Sequence, residues 1–331
     1  MYEEVTWLNF IGNRYEVVNS DDVLEINKIY KARDVFYRKN VLIKVIKHNN
    51  YICEDFVSNL IDESTALDEI NSPYILKIID VGIHCTEETT LYYIVSEDFN
   101  GIGLDELILG NYLHLEAIVN IMIQVLKALE MIHRNHSYHG SLKSSSIIVD
   151  TEYNIKICDF GITKANNGVN TRSYGNRRYL CPHQLCINYT DKESDFFATG
   201  LILFESIFKK LPFGESNSEE KMLQSIDKGL DWNSIKAING NTELINVIKR
   251  LLGRNNKYTR ANDIIIDLSK VMYEKAYIEV EDEKEEEQKQ DKVIQVKKEY
   301  KSKVKKKLHK KLVVAGLAIV MISMIIISSI I

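Results

Sequence analysis

Cysteine is sparse and unpatterned in this chain of 331 residues. The five cysteines, Cys53, Cys85, Cys158, Cys181 and Cys186, are odd in number and show no metal-ligand spacing. That excludes a disulfide framework or a zinc module and reads as free cytosolic thiols. Proline is rarer still, at three residues beside abundant Lys, Ile and Asn, a composition typical of an AT-rich genome. The N-terminal MYEEVTWLNF has acids and no long apolar run, so it is not a secretory signal. No internal repeat is visible, and nothing points to nucleic acid as a partner. The net charge of −5 is modest only because opposite charges are segregated near the C-terminus.

A long hydrophobic run occurs once. Leu312 to Ile331 reads LVVAGLAIVMISMIIISSII, without a charge. A helix of that length rises about 30 Å, the thickness of a bilayer's hydrocarbon core. The preceding KVKKKLHKKL (Lys303 to Leu312) predicts that everything N-terminal to the run is cytoplasmic. The expectation is a single-pass C-terminal tail anchor, with no external sensor domain and the membrane as one partner. Between the globular part and the anchor, EVEDEKEEEQKQD (Glu279 to Asp291) is mainly acidic and KKEYKSKVKKKLHKK (Lys297 to Lys311) mainly basic. Val293, Val296, Tyr300, Val304 and Leu308 keep a spacing of three to four, so the stretch is read either as a juxtamembrane linker helix or as a solvated linker. Its basic half is suited to anionic headgroups.

The rest of the chain, 45% hydrophobic overall, supports a sizeable core. Its first third alternates short β-branched and aromatic runs with polar clusters: Tyr15 to Val18, Lys28 to Asp34, Val41 to Lys47, Tyr74 to His84 and Thr90 to Asp98. One helix interrupts them near Phe56 to Ile70. After the connector Asn100 to Gly103 the pattern turns helical, with Leu115 to His133 and Phe196 to Phe208 as long buried helices. Gly200 lies inside the second, where it lowers helix propensity and allows close packing. The architecture expected is α+β: a small β-rich lobe joined to a larger helical lobe.

Six motifs stand in register along this frame: VLIK ending at Lys44, then Glu63, SYHGSLKSSSIIV, KICDFGITK, YLCPH and SDFFATG. Together they resemble the eukaryotic-type (Hanks-type) Ser/Thr protein kinase family, which includes membrane-anchored bacterial members. The resemblance covers about Arg14 to Lys275. It implies a bilobal fold: lead-in 1–13, N-lobe 14–99, C-lobe 104–275, juxtamembrane linker 276–311 and transmembrane helix 312–331. It further implies that Lys44 pairs the phosphates of ATP, that Glu63 orients Lys44, and that Asp159 holds magnesium. Ile29, Leu42 and Ile148 would enclose the adenine. Leu67, Ile78, Phe160, His139 and Asp195 match the family's internal spine and its anchoring aspartate.

The departures concern chemistry. Aligned without gaps, the family's three glycines fall on Asp22, Leu24 and Asn27, so the phosphate loop is degenerate. Leu42 stands where a small alanine is usual; it either fills the adenine slot or sits on a shifted strand. In YHGSLKSSS, Gly140 replaces the usual arginine, Ser141 the catalytic aspartate and Ser146 the asparagine that holds the second magnesium. An unactivated serine cannot accept a proton near neutral pH, so general-base help of about a hundred- to ten-thousand-fold is lost. Lys143 remains as a phosphate contact, and transfer by positioning alone stays open. Thr171, Ser173 and Tyr174 offer phosphorylation sites beside Arg172, Arg177 and Arg178, but without Gly140's missing guanidinium nothing reads them. His183 replaces a glutamate of a buried salt bridge and reads as a packing substitute. The sequence therefore predicts a membrane-anchored pseudokinase that binds a protein partner, such as an active kinase or its substrate. The competing expectation is a weak Ser/Thr kinase that uses ATP and Mg.

Overall fold

Alternating apolar residues pair into a six-stranded antiparallel sheet in the N-terminal lobe, in the order β2-β3-β5-β6-β8-β7. Its strands are β2 (Phe10–Ile11), β3 (Tyr15–Val17), β5 (Ile29–Asp34), β6 (Lys39–Lys47), β7 (Ile78–Cys85) and β8 (Thr90–Glu97). Outside it, β1 (Glu4–Thr6) pairs with β4 (Val23–Glu25). The central strand β6 is buried on both faces, which explains its nearly continuous apolar run. Because strand side chains alternate, Val41, Ile43 and Val45 join a cluster with Ile11, Tyr15 and Val95. Leu42, Lys44 and Ile46 face the other way, toward α1 (Phe56–Ile70) and the interlobe cleft. Helix α1 docks through Phe56 and Leu60 and stops where Asn71 turns left-handed, with φ 47°.

The structure, a computed structural model, describes residues 4–6, 10–18, 23–86, 89–172, 177–214, 216, 218–239, 241–253 and 258–272. The expected linker helix within 276–311 and the transmembrane helix 312–331 lie outside these residues, as do Asp22, Ser173 and Tyr174. Among the described residues no helix is long and apolar enough to cross a membrane.

The helical lobe contains β9 (Ile102–Gly103), α2 (Leu104–Leu109), α3 (Leu115–Arg134), β10 (Ile147–Val149), β11 (Ile155–Ile157), α4 (Ile162–Ala165), α5 (Pro182–Ile187), α6 (Lys192–Phe208), α7 (Glu219–Lys228), α8 (Trp232–Asn239) and α9 (Thr242–Leu252). A last helix, α10, covers 261–272. Helices α3, α6, α9 and α10 share one hydrophobic core. The small β-rich lobe and larger helical lobe expected from the sequence are both present.

Element edges differ from the sequence pattern for local reasons. The connector 100–103 contributes β9, which pairs with β10. Strand β7 begins only at Ile78, because Ile75 is diverted to bridge Ile157 of the helical lobe. Helix α6 begins four residues before its apolar run, because the Asp191 carboxylate accepts the Ser194 amide as an N-cap. Gly200 sits where α6 meets α9: a Cβ there would lie 2.7 Å from Leu251 Cβ. Gly200→Ala would raise helix propensity by about 1 kcal/mol, yet the contact is too close for a methyl. We expect a net loss of about 1–3 kcal/mol in urea unfolding; a stabilised variant would show that the two helices do not depend on this glycine.

Candidate functional site

Two stretches meet across the cleft. Strand β6 delivers Lys44, and the turn after β11 delivers Asp159. Asp159 is left-handed, with φ 69°, a conformation that costs a non-glycine residue about 1–3 kcal/mol and is held by its partners. Lys44 Nζ donates to Asp159 Oδ2 at 2.6 Å, and the Ser146 hydroxyl donates to the same oxygen at 3.1 Å. Both members of the ion pair are buried. Burial alone would raise the Asp159 carboxyl, but the charges of Lys44 and Lys143, with the Lys44 hydrogen bond, hold it at about 2. Lys143 is also buried; loss of water and the nearby Lys44 charge bring its ammonium down to about 8.

Glu63, expected to orient Lys44, does not pair with it. Its carboxylate meets Lys164 Nζ at 3.0 Å. The reason is α4, the single turn that follows the DFG residues. It packs on α1, where Asn59 Nδ2 donates to the Ala165 carbonyl at 2.9 Å, and so presents Lys164 to Glu63. Lys44 takes Asp159 instead. Sequence reasoning missed this role for Lys164: it follows the DFG residues by three positions and looks like a surface charge.

The residues expected to enclose the adenine are also together. Leu42 and Ile148 join Leu76 and Cys158 in one buried cluster, with Ile29 and Phe99 against it. Leu42 thus packs on Leu76, Ile148 and Cys158. Leu76 and Cys158 were not expected here from sequence: Leu76 carries no motif, and Cys158, although next to the DFG residues, read as a free thiol. The cavity among Ile29, Leu42, Lys44, Leu76, Ser96 and Asp159 measures about 20 Å³. That holds about one water, against about 300 Å³ or more for ligand pockets. Where the phosphate loop was expected, β4 is a strand with Leu24 opposite Val5. Of the described positions there, Asn27 keeps a glycine-like conformation, at φ 68°.

The catalytic-loop positions are rigidly held. Asp195, fully buried on α6, accepts hydrogen bonds from the amides of His139 (2.9 Å) and Gly140 (2.7 Å) and from His133 Nε2 (2.8 Å). His139 Nε2 donates to the Cys158 carbonyl at 2.9 Å, which leaves Nδ1 as the acceptor. The Ser141 amide occupies that acceptor at 3.2 Å, with the Ser141 hydroxyl farther off at 3.5 Å. Burial also lowers the imidazole's basicity. Ser141 therefore has no activating base in this arrangement.

Of the spine residues, the His139 and Phe160 rings lie 4.6 Å apart, and Leu67 packs on the core that contains Phe160. Ile78 joins a different cluster, with Ile46, Phe56 and Leu60.

Downstream, Arg172 is buried, with Nε 3.1 Å from Glu219 and Nη2 donating to the Gln184 carbonyl at 2.6 Å. His183 sits 3.2 Å from Asp191, and hydrogen bonds to Asp191 and Cys181 raise its imidazole to about 10. It thus carries charge in a salt bridge of its own, beyond the packing role read from sequence.

Magnesium prefers near-octahedral oxygen ligation. Here Oδ2 of the expected ligand Asp159 already binds an ammonium and a hydroxyl. Among the described residues no group of three or more His, Cys, Asp or Glu could hold a metal. As placed, one Asp159 oxygen and the slot beside Leu42 are taken up by the chain's own side chains. If Lys44 is what Asp159 serves, Asp159→Asn will destabilise the protein without any ligand, by about 3–5 kcal/mol, and Lys44→Met in the same chain will recover much of the loss. Chemical unfolding of the single and double variants measures this; additive losses would show that the pair is not coupled.

The protein kinase domain model matches residues 25–262. The chain is 32% identical over 212 residues to the serine/threonine-protein kinase PrkC of Bacillus subtilis, covering 62% of this chain and 32% of that protein. It is 29% identical over 272 residues to a probable serine/threonine-protein kinase of Clostridium perfringens, covering 79% and 38%. It is 24% identical over 281 residues to the serine/threonine-protein kinase PknB of Mycobacterium tuberculosis, covering 81% and 44%. The chain thus spans less than half the length of these relatives. With the two lobes, the DFG turn and the Asp195 anchor already in place, the match along most of both lobes means that this chain belongs to the Hanks-type Ser/Thr protein kinase family.

Proposed function

We propose that this protein is a pseudokinase, a protein-binding or regulatory module that the segment Leu312 to Ile331 anchors in a membrane with the kinase-like domain on the cytoplasmic side. The observation that carries the reading is the state of Asp159. The carboxylate that would hold a metal is bound by Lys44 and Ser146, in a cleft whose adenine side is packed by Leu42 and Ile148.

The surroundings of Gly140 support it. Its φ is 73°, and an added Cβ would lie 2.6 Å from Thr190 and 2.8 Å from Thr163. Its carbonyl accepts from Asn170 at 2.9 Å and from Gln184 at 2.8 Å. Neighbours close around the missing arginine, as expected of a maintained scaffold rather than a decaying enzyme. The partner class is a protein, either an active kinase or its substrate.

The second reading is a weak Ser/Thr kinase using ATP and Mg. It is favoured by the presence of Lys44, Glu63, Lys143 and Asp159, and by the kinase names of the relatives. The two separate cleanly. On the pseudokinase reading, millimolar ATP with magnesium leaves the melting temperature of the full chain within about 1 °C, since a ligand stabilises only in proportion to its occupancy. Labelled phosphate stays off the protein and off generic substrates. Transfer abolished by Lys44→Met would establish the kinase reading instead.

The anchor has its own test. Deleting Leu312 to Ile331 moves the protein from the membrane fraction to the soluble fraction. A truncated chain that still sediments with membranes would exclude the run as the anchor.

A further inference from the structure

Strand β1 pairs with β4 in a two-stranded ribbon that is separate from the six-stranded sheet. The register sets Glu4 opposite Glu25, Val5 opposite Leu24 and Thr6 opposite Val23. Both exits of this ribbon are fixed. Three residues after β1, β2 returns the chain to the main sheet, where Ile11 stands opposite Tyr15 and both are buried. The Gly12 turn is packed against Tyr93: its amide donates to His84 Nδ1 at 3.2 Å, and an added Cβ would lie 2.6 Å from the Tyr93 hydroxyl. On the other arm, Ile26 is buried and the Asn27 amide donates to the Val45 carbonyl of β6 at 2.8 Å.

Between these fixed points the ladder is short, and a two-stranded ribbon on its own is marginal in water. It also sets two acidic residues opposite each other, which weakens an antiparallel pair where opposite charges would strengthen it. We propose that β4 is a strand-docking edge, filled in this chain by its own residues 4–6 and open to an extended segment of a partner protein that sets a lysine or arginine opposite Glu25. In this mode of recognition main-chain hydrogen bonds supply the affinity, and the residue at Glu4's place supplies the selectivity.

Strand β1 holds the site through its tether. With three residues between it and β2, its effective concentration at β4 is about millimolar or higher. A basic strand competes by removing the opposition of Glu4 and Glu25. Exchange leaves β2, Gly12 and Asn27 where they are, so the partner gains the edge without unfolding the lobe. Strand pairing also uses backbone N–H groups of 23–25, the kind of donor that a phosphate loop offers to an anion. The segment thus serves as a strand acceptor in place of an anion cradle. The inference goes beyond the pseudokinase reading and is independent of it, because neither Lys44 nor Asp159 takes part.

Amide hydrogen exchange of the full chain tests it. The double substitution Glu4→Pro with Val5→Pro removes at least one ladder donor, whichever of the two residues turns its N–H toward β4. In that variant the ladder amides of 23–25 exchange about fivefold faster, while those of Tyr15, Asn27 and β6 keep their rates. In Glu4→Lys the same ladder amides exchange about twofold to fivefold more slowly. A synthetic peptide of residues 1–9 carrying Glu4→Lys stands in for the partner. At millimolar concentration it restores protection to 23–25 in the proline variant, and the same peptide with Glu4 restores less. Rates at 23–25 that ignore the prolines, or that rise equally in β6, overturn the strap. A peptide without effect on the proline variant overturns the docking edge, and equal effects of the two peptides overturn its preference for a basic strand.

Discussion

A lysine and an aspartate, 115 positions apart in the chain, share a hydrogen bond of 2.6 Å largely screened from water. Neither charge tolerates that place alone. Taking an ion out of water costs several kcal/mol, and removing one partner of such a pair typically costs 3–5 kcal/mol because the other remains buried. Lys44 is fixed by the pleat of β6, between two apolar neighbours on the cleft face. Asp159 is fixed in a left-handed turn that few residues adopt unaided. The pair is therefore one of the contacts that hold the two lobes together. Ser146 adds a donor to the same carboxylate oxygen, and Leu42, two residues from Lys44 on the same face, is pressed onto Ile148 and Cys158.

A second polar centre works independently. Asp195 gathers three donors from α3 and the loop that follows it, and through the His139 amide it places an imidazole against Phe160. This centre does not touch the cleft's charges, so it supports the loop whatever stands at position 141. That separation is the physical reason a kinase fold can lose its base and keep its shape. The base projects from the loop, whereas the anchor holds the loop's backbone. Gly140 shows the consequence. Freed from carrying an arginine, it adopts a positive φ, and Thr163, Thr190, Asn170 and Gln184 close over it.

Periodicity made most of the fold legible. The alternation of Val41 to Lys47 and the helical spacing of Phe56, Leu60 and Leu67 come from short-range geometry, and their elements lie within a few residues of expectation. The motifs around Lys44, Asp159 and Asp195 were legible for the same reason, being contiguous. The choice of partner for Lys44 was not. Glu63 and Asp159 both carry carboxylates near Gly161, whose added Cβ would lie 3.2 Å from Glu63 Cβ. What decides between them is the docking of α4, through Asn59 and Asn166. An asparagine side chain has no period, and the partners through which these two join the lobes are backbone groups more than a hundred residues away. The β1–β4 pairing was hidden likewise: Glu4 to Thr6 is too short a run to announce a strand, and only its partner at Val23 to Glu25 makes it one.

An enzyme of this architecture needs a cleft that opens for nucleotide and closes for chemistry. On the proposed reading, a cleft packed by its own leucine, lysine and isoleucine does not enter that cycle: Lys44 is held by Asp159, and Leu42 by Ile148. For a binding module this is an advantage, because affinity is limited by the ordering that association demands, and a preorganised surface demands less. On the proposed reading the anchor acts in the same direction, raising the local concentration of that surface near membrane partners without adding a contact. The changes at Leu42, Gly140 and Ser146, which as losses of catalysis look unrelated, then share one physical effect. At Leu42 and Ser146 a contact that a nucleotide or metal would have completed is completed by the folded chain itself, and at Gly140 neighbouring side chains close over the backbone.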